Sequence, residues 1–254
     1  MTRYTTACLP AVVMTAKATL IALGATSLLS QAAMGQAFRS DVLGASILHE
    51  TKIEASNVDV VHVLAGIGAI RADLQLGLLF LQEDMTRPEG SHFLHPRHEG
   101  WPRIKDTFIA AGGADIEPLL VALEGATDKE AVLAAYQAVE KELAKGRSAL
   151  QPTSADVLLA LHEMVTDAEA AIDPSGITAV ADYQNAWSII MVARGELDFL
   201  ARDPAIAKIA AEQAMAFDDL IISLPDPHQS APVAVDPALF KALLTRIEEL
   251  NEAA

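Results

Sequence analysis

The feature that most constrains the fold is the longest apolar segment of the chain, residues 58–84. Residues 56–59 resemble a helix start, because a capping residue is followed three positions later by an acid. Residues 60–81 are long enough to cross a bilayer, but Arg71 and Asp73 fall near their centre, where each would cost about 2.5–3.5 kcal/mol. We therefore predict a buried helix of a soluble bundle.

The polar residues of this helix separate onto two sides. Arg71, Gln75 and Gln82 share a narrow stripe that we expect to face solvent. Asp73 points about 200° away from Arg71, and His62 shares the side of Asp73 at a distance of about 16 Å along the axis. Because an unpaired buried charge is costly, both need partners if the core lies on that side. Asp73 is predicted to contact the histidine-rich loop that contains His92, His95 and His98. The alternative is that Asp73 makes only an ordinary buried hydrogen bond.

The rest of the chain also shows helical patterns, and no segment alternates convincingly with a two-residue period. Tyr183 and Trp187 are expected to form an aromatic core pair, and Arg194 and Asp198 an ion pair one turn apart. Helices are predicted over residues 101–112, 115–123, 127–150, 154–172, 178–202, 204–224 and 237–251. Consecutive helices with short links predict an all-α, up-and-down bundle. It is divided at residues 151–154 into possible related halves, 57–150 and 154–224.

The first 35 residues resemble an export signal. Arg3 and Lys17 are followed by an apolar run at 18–29 and by small residues at 33–35. A transmembrane anchor is the competing interpretation, but the uncharged core is short for a span. We therefore expect cleavage near Gly35, a periplasmic protein, and a single helical-bundle domain over residues 36–254.

The mature chain is predicted to be acidic and free of cysteine. Cys8 is the single cysteine and lies in the signal. Removing the two positive charges of the signal changes the formal net charge from -16 to -18, since -16 minus 2 is -18. This charge argues against nucleic acid and anionic membranes as partners. Without disulfides, an exported protein needs a substantial hydrophobic core.

Three of the seven histidines lie within one short segment, as His92, His95 and His98, and Glu99 follows directly. A continuous helix could not bring all three imidazoles to one ion. Pro96 makes such a helix unfavourable and pushes His95 toward an extended conformation. We therefore predict a loop with His92 and His95 that leads into a turn with His98 and Glu99, and a transition-metal site formed by these four residues and Asp73. The alternative is a solvated or helix-capping surface loop.

The same segment carries a family resemblance. Gly90, His92 and the spacing to His95 resemble the Gly-x-His-x-x-Glu motif of imelysin-like proteins, a periplasmic iron-uptake family historically filed as M75 peptidases. His95 stands where that family has glutamate. The resemblance implies a helical fold of two halves and an association with iron uptake.

Three classes of function follow. The first is a periplasmic metal-binding protein in the uptake or delivery of an iron-like transition metal. Such a protein could also bind a periplasmic or membrane protein partner. The second is a helical interaction module without a metal. The third is a metallohydrolase, but the chain has no His-Glu-x-x-His helix and no serine-triad signature. We rank them in this order and expect His228→Ala, far along the chain in a proline-rich loop, to change metal binding little.

Overall fold

The computed structural model describes residues 58–82 and 92–253. The predicted signal, Cys8, the cleavage position near Gly35, and Gly90 of the family motif all lie outside these residues. So does the predicted end of the first helix at residue 84. The described residues belong to one compact unit, Ile53–Ala254.

The described chain forms an all-α helical bundle, which confirms the predicted fold class. Two short strands, β1 (Ile177–Thr178) and β2 (Val233–Ala234), pair antiparallel. A single π-helical turn covers Pro96–Gly100. The α-helices are α1 (Val58–Gln82), α2 (Trp101–Ala110), α3 (Glu117–Gly125), α4 (Lys129–Ala149), α5 (Ser154–Ala170), α6 (Val180–Leu200), α7 (Ala207–Ser223) and α8 (Ala238–Ala253).

Local signals explain several of the helix boundaries. Thr153 caps α5 in a capping box with Asp156: the Asp156 backbone N–H donates to the Thr153 hydroxyl at 3.1 Å, and the Thr153 backbone N–H donates to the Asp156 carboxylate at 2.9 Å. Gly112 follows α2 with φ +99°, as a glycine stop should. Residues 127–130 have the pattern of a capping box that begins at Thr127, but this prediction is wrong by one position. There Asp128 is the capping residue, and it accepts a hydrogen bond from Ala131 N at 2.8 Å.

Helix α1 is the central helix, since it packs against α2, α4, α5 and α6. Its residues 59–81 are long and apolar enough to cross a membrane, with a mean hydropathy of 1.5, but 78% of the most apolar window is buried inside the fold. A core helix has this property, in agreement with the predicted buried bundle helix.

The predicted polar sides of α1 need one correction. Arg71 is 7% exposed and donates to Glu140 of α4 at 3.1 Å, so the prediction of a solvated Arg71 is wrong. Helices cover α1 on several sides, and a polar stripe can therefore face a neighbouring helix. His62, by contrast, is exposed and lies 3.3 Å from Glu163 of α5.

Helix α6 agrees with its prediction. Tyr183 and Trp187 are 0% and 7% exposed, as expected for an aromatic core pair. Arg194 and Asp198 form the predicted ion pair at 2.7 Å.

Candidate metal centre

The histidine segment, residues 92–100, packs against one face of α1. Ile70, Asp73 and Gly77 are spaced by three and four residues, so they lie on the same face of the helix. A Cβ atom at Gly77 would lie only 2.6 Å from a ring carbon of Phe93, and one at Gly100 only 2.6 Å from Ile70. The close contact between α1 and the histidine segment therefore requires glycine on both sides. Phe93 is 2% exposed and anchors the segment to α1.

His92 and His95, which lie on either side of Phe93 in the sequence, both face Asp73. The Nδ1 atom of His95 lies 3.3 Å from Asp73 Oδ1, and the Nδ1 atom of His92 lies 3.5 Å from the same oxygen. One donor atom from each of the three residues can be chosen so that all lie within 4.8 Å of one another. The side chains of His92, Asp73 and His95 are 13%, 23% and 38% exposed. The group is thus partly buried and open on the His95 side.

The backbone of the segment differs from its prediction. Residues 92–94 form a turn, but His95 has φ -57° and ψ -42°, so the expected extended conformation of His95 is wrong. Pro96 is tolerated because it begins the π-helical turn, where a backbone N–H is not needed. Pro96 is buried, and His95 contacts Asp73. We attribute the helical geometry of His95 to these contacts, which outweigh the steric preference before proline.

The other two predicted ligands lie apart from the donor group. His98 is on the predicted turn, but its Nε2 atom lies 3.5 Å from Glu124 of α3, and its side chain is 61% exposed. Arg97 also donates to Glu124, at 2.8 Å. The Glu124 carboxylate therefore contacts the side of the π-helical turn that faces α3, whereas His95 lies on the side that faces α1. Glu99 is exposed and acts on His95 through its charge alone.

The distances within the group fit a small transition-metal ion. Zinc binds nitrogen and oxygen at about 2.0–2.1 Å, so neighbouring ligands of a tetrahedral site lie about 3.3–3.4 Å apart. The two Nδ1-to-oxygen distances of 3.3 and 3.5 Å already have this length. Two imidazoles and a carboxylate suit zinc, iron, copper, nickel or cobalt better than calcium or magnesium. Asp73, His92 and His95 could therefore hold such an ion if the donor atoms, which lie within 4.8 Å of one another, move closer together.

Electrostatics favour the protonated form of His95 while no cation is bound. The hydrogen bond to Asp73 is the main cause that raises the pKa of His95, and the charges of Asp73 and Glu99 raise it further. Burial acts in the opposite direction and is the smaller effect. A metal ion would replace this proton.

Aromatic contacts complete the surroundings of the site. Phe80 stacks on His92, with ring centroids 5.7 Å apart and an interplanar angle of 11°, and His95 meets His92 edge-on at 5.6 Å. His228 lies outside the donor group, but its ring contacts Phe80 at 4.8 Å. Phe80 and Gly77 were not among the predicted site residues. Gly77, four residues beyond Asp73 on the same helix, was the available signal.

Comparison with other proteins adds no relatives to this description. No protein-family model, curated protein or solved structure matches the chain. Asp73, His92 and His95 are therefore the structural basis for assigning a function. Kinship with the imelysin-like family stays a prediction.

Proposed function

We propose that the protein binds a divalent transition metal through Asp73, His92 and His95, and that it serves as an exported protein in metal uptake or delivery. The observation that carries the proposal is the convergence of the three donors within 4.8 Å. Two of them come from a short segment and the third from the central helix. An arrangement of this kind needs both the fold and the segment to be in place.

The exposure of the site favours exchange of the metal over a structural role. Structural zinc sites are closed by four protein ligands, whereas three ligands leave positions open. The side chain of His95 is 38% exposed, so water or the ligand of a partner protein could reach the ion from that side. A protein that passes its metal to a periplasmic or membrane partner needs such access.

The family resemblance supports the same direction. His95 occupies the position of the glutamate in the Gly-x-His-x-x-Glu motif. Asp73 supplies a carboxylate from α1 to the same place. Compared with the family motif, His95 supplies a nitrogen donor in place of the oxygen donor of glutamate, and Asp73 supplies an oxygen donor from α1. An iron-like metal therefore remains compatible with the proposal.

Titration calorimetry on metal-free protein without a histidine tag tests the proposal. Zinc, cobalt(II) and iron(II) are the probes, and Asp73→Asn, His92→Gln and His95→Gln are the variants. Each variant should lose more affinity than the roughly 10–100-fold that changes around a metal site typically cost, because each removes a ligand. Wild-type affinity should fall as the pH drops through about 6.5, since protons compete for the imidazoles.

His98→Gln is the matched control, because His98 lies in the same segment but contacts Glu124 instead of the donor group. It should bind metal as the wild type does. Equal affinities in all variants, or no binding by the wild type at micromolar concentration, would refute the proposal. The interaction-module alternative would then take first place.

A further inference from the structure

The loop that follows α7 contacts an aromatic ring beside the proposed metal site. His228, in this loop, meets Phe80 of α1 in a T-shaped arrangement with centroids 4.8 Å apart and an interplanar angle of 85°. Phe80 in turn stacks on His92. One aromatic ring therefore touches both a proposed metal ligand and a histidine that lies 136 positions farther along the chain, since 228 minus 92 is 136.

His228 is fixed within its own loop. The Asp226 carboxylate accepts a hydrogen bond from the His228 backbone N–H at 2.8 Å and lies 2.7 Å from its ring Nδ1. Two side chains of α6 secure the loop: the Tyr183 hydroxyl and the Gln184 amide each donate to one of its carbonyl groups, the latter at 2.9 Å. The His228 side chain is 16% exposed. A ring held in this way can limit the motion of Phe80.

The orientation of a histidine ligand depends on what holds its ring. A metal–nitrogen bond requires the ring plane to point at the ion, and groups around a site that fix ligand orientation contribute strongly to affinity. His92 is oriented by Asp73 at 3.5 Å and by its stacking on Phe80. If Phe80 turns, the stacked ring of His92 loses one of these two constraints.

We propose that His228 and Asp226 are positioning residues for the metal site, acting on His92 through Phe80. The inference rests on the proposed metal binding, and it assigns a role to the proline-rich loop. His228 itself does not contact the ion. Its contribution is to keep the ligand ring in the orientation that binds.

The test is a cobalt(II) titration followed by absorption spectroscopy, because the visible bands report the ligand geometry as well as the affinity. His228→Ala should weaken cobalt binding by about tenfold, the lower end of the effect of groups around a metal site, and should shift the bands. Asp226→Ala should act in the same direction, since it releases His228. His228→Phe retains an aromatic ring against Phe80 but loses the ring contact with Asp226, so it should recover only part of the binding. His162→Ala is the control, because His162 is a partly exposed histidine on α5 in a loose 3.8 Å pair with Glu248.

The outcomes separate this inference from the proposed function. If the wild type binds cobalt, and both His228→Ala and Asp226→Ala match His162→Ala in affinity and spectrum, the positioning role is refuted while the metal site stands. If the wild type does not bind, both are refuted. Should His228→Ala fail to fold, as judged by circular dichroism, Asp226→Ala decides the question by the same criteria.

Discussion

The substitution Gly77→Ala tests whether close packing of Phe93 against α1 builds the metal site. The added Cβ would lie 2.6, 2.7 and 2.8 Å from three ring carbons of Phe93. Ordinary carbon contacts are about 3.5–4.0 Å long, so the ring must move by about 1 Å. Phe93 is 2% exposed, so the surrounding core leaves little space for that movement.

Two opposing effects determine the magnitude. Alanine is more favourable than glycine inside a helix by about 0.8–1.0 kcal/mol. Overpacking of a well-packed core costs about 1–3 kcal/mol. The net expectation for Gly77→Ala is a destabilisation of roughly 0–2 kcal/mol. Gly195→Ala in α6 provides the control, because its Cβ would meet no atom of a neighbouring element within 4 Å in the described chain. It should stabilise the protein by up to about 1 kcal/mol.

Urea unfolding of the metal-free variants measures the two stabilities, and cobalt titration measures the site. A movement of Phe93 by about 1 Å carries the adjacent His92 with it, whereas metal–ligand distances tolerate only about 0.2 Å. Gly77→Ala should therefore lose cobalt affinity, and Gly195→Ala should keep it. If the two variants are equally stabilised and bind cobalt equally, the packing argument is wrong.

Three further predictions concern other parts of the molecule. Arg71→Ala should destabilise the protein by roughly 3 kcal/mol in urea unfolding, because it leaves Glu140 without its buried partner, whereas Arg71→Met combined with Glu140→Leu should recover most of that loss. Without metal, the pair of His95 with Asp73 should contribute its full stability below about pH 6.5 and lose it as the pH rises through the raised pKa of His95. The stability difference between wild type and His95→Gln should thus be larger near pH 5.5 than near pH 8.5, and an opposite trend would contradict the assigned pair. Amino-terminal sequencing of the exported protein should begin close to Gln36, and an intact amino terminus on protein found in the cytoplasm would contradict export.

The sequence by itself determined the fold class and most helix positions. Apolar periodicity, capping residues and glycine or proline stops act over a few neighbouring residues, so they can be read without knowledge of the fold. The break before α5, capped by Thr153, is one example. The predicted contact of Asp73 with the histidine segment is present as well.

The tertiary structure alone decided which faces are covered and which donors converge. Helical phase tells which residues share a side, but not what packs against that side. For this reason, helical phase could not predict that Arg71 is buried against Glu140 while His62 is exposed. His98 is drawn to Glu124 although it lies three residues from His95, and the contact of His228 with Phe80 joins parts of the chain that no local pattern connects. Long-range packing also keeps His95 helical before proline, because a local preference is weaker than the sum of its tertiary contacts.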